Sequence, residues 1–260
     1  MAGCKMLFKR RYIRKMRLNS LNEMDGLYHC TSLNALTNIF QSGAFYPSFC
    51  LEEASYLNES LRFAFAVVCF ADLRRSELKE HMVNFSSQVY VKMRKDWAIK
   101  KNLSPVTYYS AKSTLSSAIY RSLVDYASKR KSIPEIYSPV NLMLGLLKQY
   151  CGHYYDKKLK RFSSHEVCFY LEREWRYLPL VMDGEAFYLE EKDYMNENLR
   201  QAKQKELVDH GYVLNFSWDD ILEVGGSFKH SIALVNILSR VFSISRIEAA
   251  SKVKRIGCPL

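Results

Sequence analysis

The chain has 260 residues, 48% of them hydrophobic and 25% charged, which is enough to bury a substantial core and excludes a disordered or low-complexity chain. Its longest apolar run, Phe63 to Ala71, falls short of the about 20 residues of a membrane-spanning helix. No signal-peptide apolar stretch follows the basic start, so a cytoplasmic protein without membrane contact is expected.

The net charge of +11 is unevenly placed. Lys5, Lys9, Arg10, Arg11, Arg14, Lys15 and Arg17 meet no acid in residues 1–20, and Arg246, Lys252, Lys254 and Arg255 meet only Glu248 in residues 246–260. Nearly neutral sequence lies between them. This reads as a basic N-terminal arm over residues 1–22, one α+β domain over 23–245 and a basic C-terminal tail over 246–260. Such ends suit nucleic-acid or partner binding, or plain solvation.

After the arm, Leu27-Tyr28-His29-Cys30 reads as a strand. Thr31 or Ser32 can cap a helix with apolar positions Leu33, Leu36, Ile39 and Phe40, which Gly43 stops. Phe63 to Phe70 has the β-branched and aromatic content of a buried strand, and Arg74 to His81 reads as a short helix. Strands are expected at Gln88–Met93 and Val106–Tyr109. The period then changes to helical: Leu115, Ile119, Leu123 and Tyr126 share a face, Pro134 and Pro139 break the chain, and Leu142, Leu146 and Leu147 continue a second helix. A helical insertion is therefore expected at about residues 111–160, ending in the basic loop Lys157 to Arg161. A strand over Val167–Leu178, a polar helix at about 192–208, strands at Tyr212–Phe216 and Ile221–Val224, and a helix around Leu234–Val241 complete the chain. This mixed order points to an α+β fold on a mixed or antiparallel sheet.

The stretch Val167 to Leu178 carries the most chemistry. As one strand it places Val167, Phe169, Leu171, Trp175 and Tyr177 on a core face and Glu172, Glu174 and Arg176 on the other. Carboxylates held rigidly beside a guanidinium can act as a general base or stabilise a developing cation, and they can equally form an ordinary ion pair on a solvated face. His29, at a strand end, can hydrogen-bond a ligand or sit satisfied in the core, and His81 is open in the same way. The seven cysteines form no CxxC pair and the histidines no HExxH, so no metal site is expected, and the chain has no P-loop, GxGxxG or GxSxG.

Several motifs in order, Leu27-Tyr28-His29-Cys30-Thr31-Ser32, Val68-Cys69-Phe70-Ala71-Asp72-Leu73 with Glu80-His81 and Lys95-Asp96-Trp97, Pro105-Val106-Thr107-Tyr108, and Glu172-Arg173-Glu174-Trp175-Arg176-Tyr177, resemble the AbiGi-type abortive phage resistance proteins over about residues 27–225. The opening strand and helix and the late glutamate strand also look like the ADP-ribosyltransferase fold. The resemblance implies an anti-phage, toxin–antitoxin effector that uses NAD. His29 would hold the dinucleotide with Tyr28, Thr31, His81 and Arg176, and Glu174 would be the catalytic carboxylate, with Glu172 its nearest competitor. Where related chains favour Tyr and Gly after the histidine matching His81, this one has Met82, Phe85, Ser86, Ser87, Gln88 and Tyr90. That departure leaves open a non-enzymatic antitoxin or regulatory subunit that binds a cognate toxin or defence partner.

Overall fold

The computed structural model describes residues 25–54, 61–129, 139–157, 159–180 and 187–256. The basic N-terminal arm lies outside them. In chain order the first elements are β1 (Gly26–Thr31), α1 (Leu33–Ser42), β2 (Ala44–Phe45), β3 (Ser48–Ala54), β4 (Leu61–Ala71), α2 (Arg75–Asn84), β5 (Val89–Arg94) and α3 (Lys95–Lys100). There follow β6 (Ser104–Pro105), β7 (Thr107–Tyr109), α4 (Thr114–Lys129), α5 (Pro139–Gly145), β8 (Leu147–Gln149), β9 (Cys151–Gly152), β10 (Tyr155–Asp156), β11 (Arg161–Phe162), β12 (Val167–Cys168) and β13 (Glu174–Tyr177). The last are β14 (Tyr188–Glu190), α6 (Glu191–Met195), α7 (Glu197–Asp209), β15 (Leu214–Asn215), β16 (Ile221–Gly226), α8 (Ser231–Phe242), α9 (Arg246–Lys252) and β17 (Val253–Arg255). The class is α+β with mixed strand pairing, as expected from the sequence.

The described chain divides into two compact units where one domain was expected. Residues 25–41, 71–100 and 216–256 form the first, and residues 42–70 and 101–215 the second.

In the first unit β5 lies between β1 and β16, antiparallel to both, with His29 opposite Val91 and Val224 also opposite Val91. Ser32 caps α1 by accepting from the Ala35 amide, and Gly43, at φ 65°, ends it in a left-handed conformation that suits glycine. Tyr28, Ala71, Leu73, Leu78, Met82 and Tyr90 form a buried cluster. Within the span read from the sequence as a C-terminal tail, residues 246–255 form α9, capped by Ser245, and β17, parallel to β16. Its basic side chains are engaged: the Lys252 ammonium lies 3.9 Å from the Trp218 ring centroid and the Arg255 guanidinium 4.5 Å from that of Phe228. Cationic stems packed on aromatic faces explain why a charged segment docks here.

In the second unit β4 is paired on both edges, by β3 (Cys50 opposite Phe65) and by β14 (Tyr188 opposite Phe65), and its alternate residues pack into different clusters, Phe65 and Val67 in one and Ala64 and Ala66 in another, so both faces are covered and its apolar run is unbroken. Phe65, Val67, Tyr109, Ile119, Leu144, Leu147 and Leu178 pack as one cluster, and Phe49, Leu51, Ala64, Ala66, Phe187, Leu189, Tyr194 and Leu207 as another. The helical insertion is shorter than expected. It ends at Gly145, and from Leu147 the chain is extended, because β8 finds its hydrogen bonds in parallel pairing with β7. Among the described residues no helix is long and apolar enough to cross a membrane.

Candidate functional site, a buried charge cluster

The expected single strand over Val167–Leu178 is interrupted. Phe169–Glu172 form a 3-10 turn that ends at Arg173, whose φ of 44° breaks the extended run before β13 begins. The expected faces are also exchanged in β13. Glu174 and Arg176 are 3% and 1% exposed, while Trp175 and Tyr177 are half-buried. Burying two charges is costly unless each finds opposite charge and directed hydrogen bonds, and here they do.

The Arg176 guanidinium donates through Nε to Glu174 Oε1 at 2.7 Å, through Nη2 to Glu174 Oε2 at 3.2 Å, and through Nη1 to Glu52 Oε2 and the Gly145 carbonyl, both at 3.0 Å. Its Nη2 also pairs with Glu52 Oε1. The Lys148 ammonium donates to Glu174 Oε2 at 2.7 Å and stands 3.5 Å from Glu172 Oε2 and 3.8 Å from Glu52 Oε1. It also lies 4.6 Å from the Phe169 ring centroid. The Glu174 amide donates to the Tyr108 hydroxyl at 2.8 Å. Three carboxylates from β3, the 3-10 turn and β13 thus share two cations from β8 and β13.

These surroundings separate the two glutamates expected as catalytic. Burial pushes the Glu174 carboxyl up, but Arg176 and Lys148 outweigh it and hold the group well below the usual carboxylate range. Glu172 is raised to about 7, chiefly by burial, which Lys148 opposes and Glu174 reinforces. Lys148 and Arg176 are desolvated, yet the surrounding carboxylates raise both above their ordinary values. On the neighbouring strands a hydrogen bond with Cys69 lowers the Cys50 thiol to about 6 against burial, with help from Lys157, whose Nζ lies 4.0 Å from Cys50 Sγ. Cys69 is raised in turn.

The sequence-expected ligand contacts Tyr28, His29, Thr31 and His81 belong to the first unit, whereas Glu172, Glu174 and Arg176 belong to the second. Tyr28 is buried, its hydroxyl raised to about 12 by burial, and the Lys92 ammonium lies 5.3 Å from its ring centroid. His29 and Thr31 are half-buried on β1, and His81 is half-buried on α2, its ring 4.7 Å from that of Phe85. Tyr28 and Arg176, both expected to hold a dinucleotide, are each engaged within the protein. The first is packed in the core, and the second is committed to Glu52, Glu174 and the Gly145 carbonyl.

Glu52, Lys148, Cys50 and Cys69 were not singled out from the sequence. Lys148 follows Leu146-Leu147, which read as helical, and residues 48–54 carry no strict alternation. The signal that points to Glu52 and Lys148 is the demand of Glu174 and Arg176 for partners once their face is buried.

The fold and this cluster define an α+β protein whose second unit is organised around a desolvated network of acids and bases. Comparison with known proteins places it more closely. The family model of the abortive phage resistance protein AbiGi, antitoxin, matches residues 43–224, and the chain belongs to that family. The chain is 26% identical over 234 residues to an abortive phage resistance protein AbiGi of Lactococcus lactis subsp. cremoris, a match covering 82% of this chain and 91% of the relative. No solved structure matches the chain.

Proposed function

We propose that this protein serves abortive phage infection as a non-enzymatic antitoxin that binds a cognate toxin, with the charge cluster holding the second unit rigid. The observation that carries this reading is the engagement of Glu174. Both of its oxygens are held, by Arg176 Nε and Lys148 Nζ at 2.7 Å each, and the residue is 3% exposed. A carboxylate so saturated has little capacity left to stabilise charge developing on a substrate. The family description, which includes the word antitoxin, supports the same reading.

The second reading is an NAD-dependent, ADP-ribosyltransferase-like effector in which His29 holds the dinucleotide and Glu174 supports transfer to protein, nucleotide or nucleic acid. One observation favours it. Glu172 titrates near 7, where a side chain can both take and give a proton at working pH.

Expression in bacteria separates the two. The antitoxin reading expects normal growth when this chain is made alone, and rescue when it is made together with a cognate toxin. Growth arrest by this chain alone, relieved by Glu174→Gln or Glu172→Gln together with loss of cellular NAD consumption, would overturn it in favour of the enzyme.

A further inference from the structure

The second unit contains a cavity of about 280 Å³ between the start of β3, the loop joining β10 to β11, and helices α6 and α7. It is independent of the antitoxin reading. Three cations line it, Lys157, Lys160 and Arg200, and among the described residues none of them forms a salt bridge with a carboxylate. Arg200 donates from Nη1 to the Tyr194 carbonyl at 2.5 Å and stacks its guanidinium 4.9 Å from the Tyr194 ring centroid. This fixes the fork, while its remaining N–H groups have no partner among the described residues. Lys160 sits at φ 50°, a left-handed conformation that a lysine rarely adopts. The acid in the lining is Glu197, whose Oε1 accepts from Gln201 Nε2 at 3.2 Å. The remaining wall is mixed: Ser48, Gln201 and Gln204 are polar, Met195 is apolar, and the half-buried Tyr155 offers an aromatic ring beside the buried Phe49 and Tyr194.

Lys157 is already engaged, its Nζ 4.0 Å from Cys50 Sγ, whereas Lys160 and Arg200 face no anionic partner among the described residues and call for an anion; a planar guanidinium with free donors suits phosphate oxygens. The volume is several times the roughly 30 Å³ share of one water, too large for a bare phosphate to fill. The Tyr155 ring suits a planar base, and the Glu197 carboxylate can accept from the hydroxyls of a sugar. We propose that this cavity binds a nucleoside monophosphate, its phosphate on Lys160 and Arg200 with Lys157 beside them, and its base against Tyr155. The basic loop Lys157 to Arg161, noted in the sequence, acquires a purpose in this way.

Adenosine 5′-monophosphate, adenosine and inorganic phosphate are titrated separately into the full chain by calorimetry at low and at physiological salt. The expected result is saturable binding of the monophosphate, at least about tenfold tighter than either fragment and weakening as salt rises. Lys157→Gln with Lys160→Asn should weaken it about tenfold or more. Lys160→Asn alone controls for folding, since the side chain is exposed and asparagine tolerates a left-handed backbone, and it should itself weaken binding about threefold with an unchanged circular dichroism spectrum. Absence of monophosphate binding, equal affinity for adenosine or for phosphate alone, or indifference to Lys160→Asn would each overturn the proposal.

Discussion

Replacing Arg176 by methionine removes the guanidinium and keeps most of its apolar stem. The side chain is 1% exposed and bonds Glu174, Glu52 and the Gly145 carbonyl. Without it, Lys148 alone faces Glu52, Glu172 and Glu174. Breaking a buried pair from one side costs about 3–5 kcal/mol, because the remaining charge stays desolvated. For a urea slope near 2 kcal/mol/M this lowers the midpoint by about 2 M. Glu174→Gln acts differently. It leaves Glu52 and Glu172 against Lys148 and Arg176, a balanced set, and gives up charge-assisted hydrogen bonds worth about 1.5–3 kcal/mol. The ordering is therefore Arg176→Met more destabilising than Glu174→Gln, measured by urea titration of tryptophan fluorescence and far-ultraviolet circular dichroism. A cost below about 1 kcal/mol for Arg176→Met, the range of solvated pairs, or the reverse ordering, would refute the reasoning.

Further outcomes follow from the same physics. Glu172 has a folded value of about 7 against an ordinary 4.5, so the folded state binds more protons between these values and stability falls as pH rises from about 4.5 to 7, by on the order of 3 kcal/mol. Glu172→Gln should flatten that slope in urea titrations at pH 5 and pH 8; an identical slope would remove Glu172 as its source. Glu174, held low, contributes stability that is present above its unfolded value and lost only as pH falls below it, so Glu174→Gln should blunt acid unfolding below about pH 4. Cys50, lowered to about 6, should be the described cysteine that iodoacetamide modifies fastest at pH 7, ahead of Cys30, which burial raises to about 12; peptide mass spectrometry reads the order. Gly225→Ala would push a methyl group into the Lys254 carbonyl and the Tyr90 hydroxyl, and thermal melts should show a loss of about 1–3 kcal/mol, whereas no loss would mean that β16 and β17 are not paired as described.

Much of the framework was legible in the sequence because it depends on local pattern. The serine cap and Gly43 bounded α1, the apolar run of β4 announced a strand buried on both faces, and the polar stretch after Glu190 became α6 and α7. The two-residue spacing of Glu172, Glu174 and Arg176 was enough to group them. Which way they face was not. A strand's alternation says that neighbours point oppositely, and it leaves open which side is core when one side is charged and the other aromatic. That choice was made by Glu52 and Lys148, respectively 122 and 26 positions from Glu174 in the chain, which satisfy charges that sequence alone would send to solvent. The same holds at the C-terminus, where a run of basic residues reads as a tail until Trp218 and Phe228 offer it aromatic faces and β16 an open edge. Local propensity and periodicity are properties of a few consecutive residues. Burial of charge depends on partners brought from far along the chain, and only the folded arrangement supplies them.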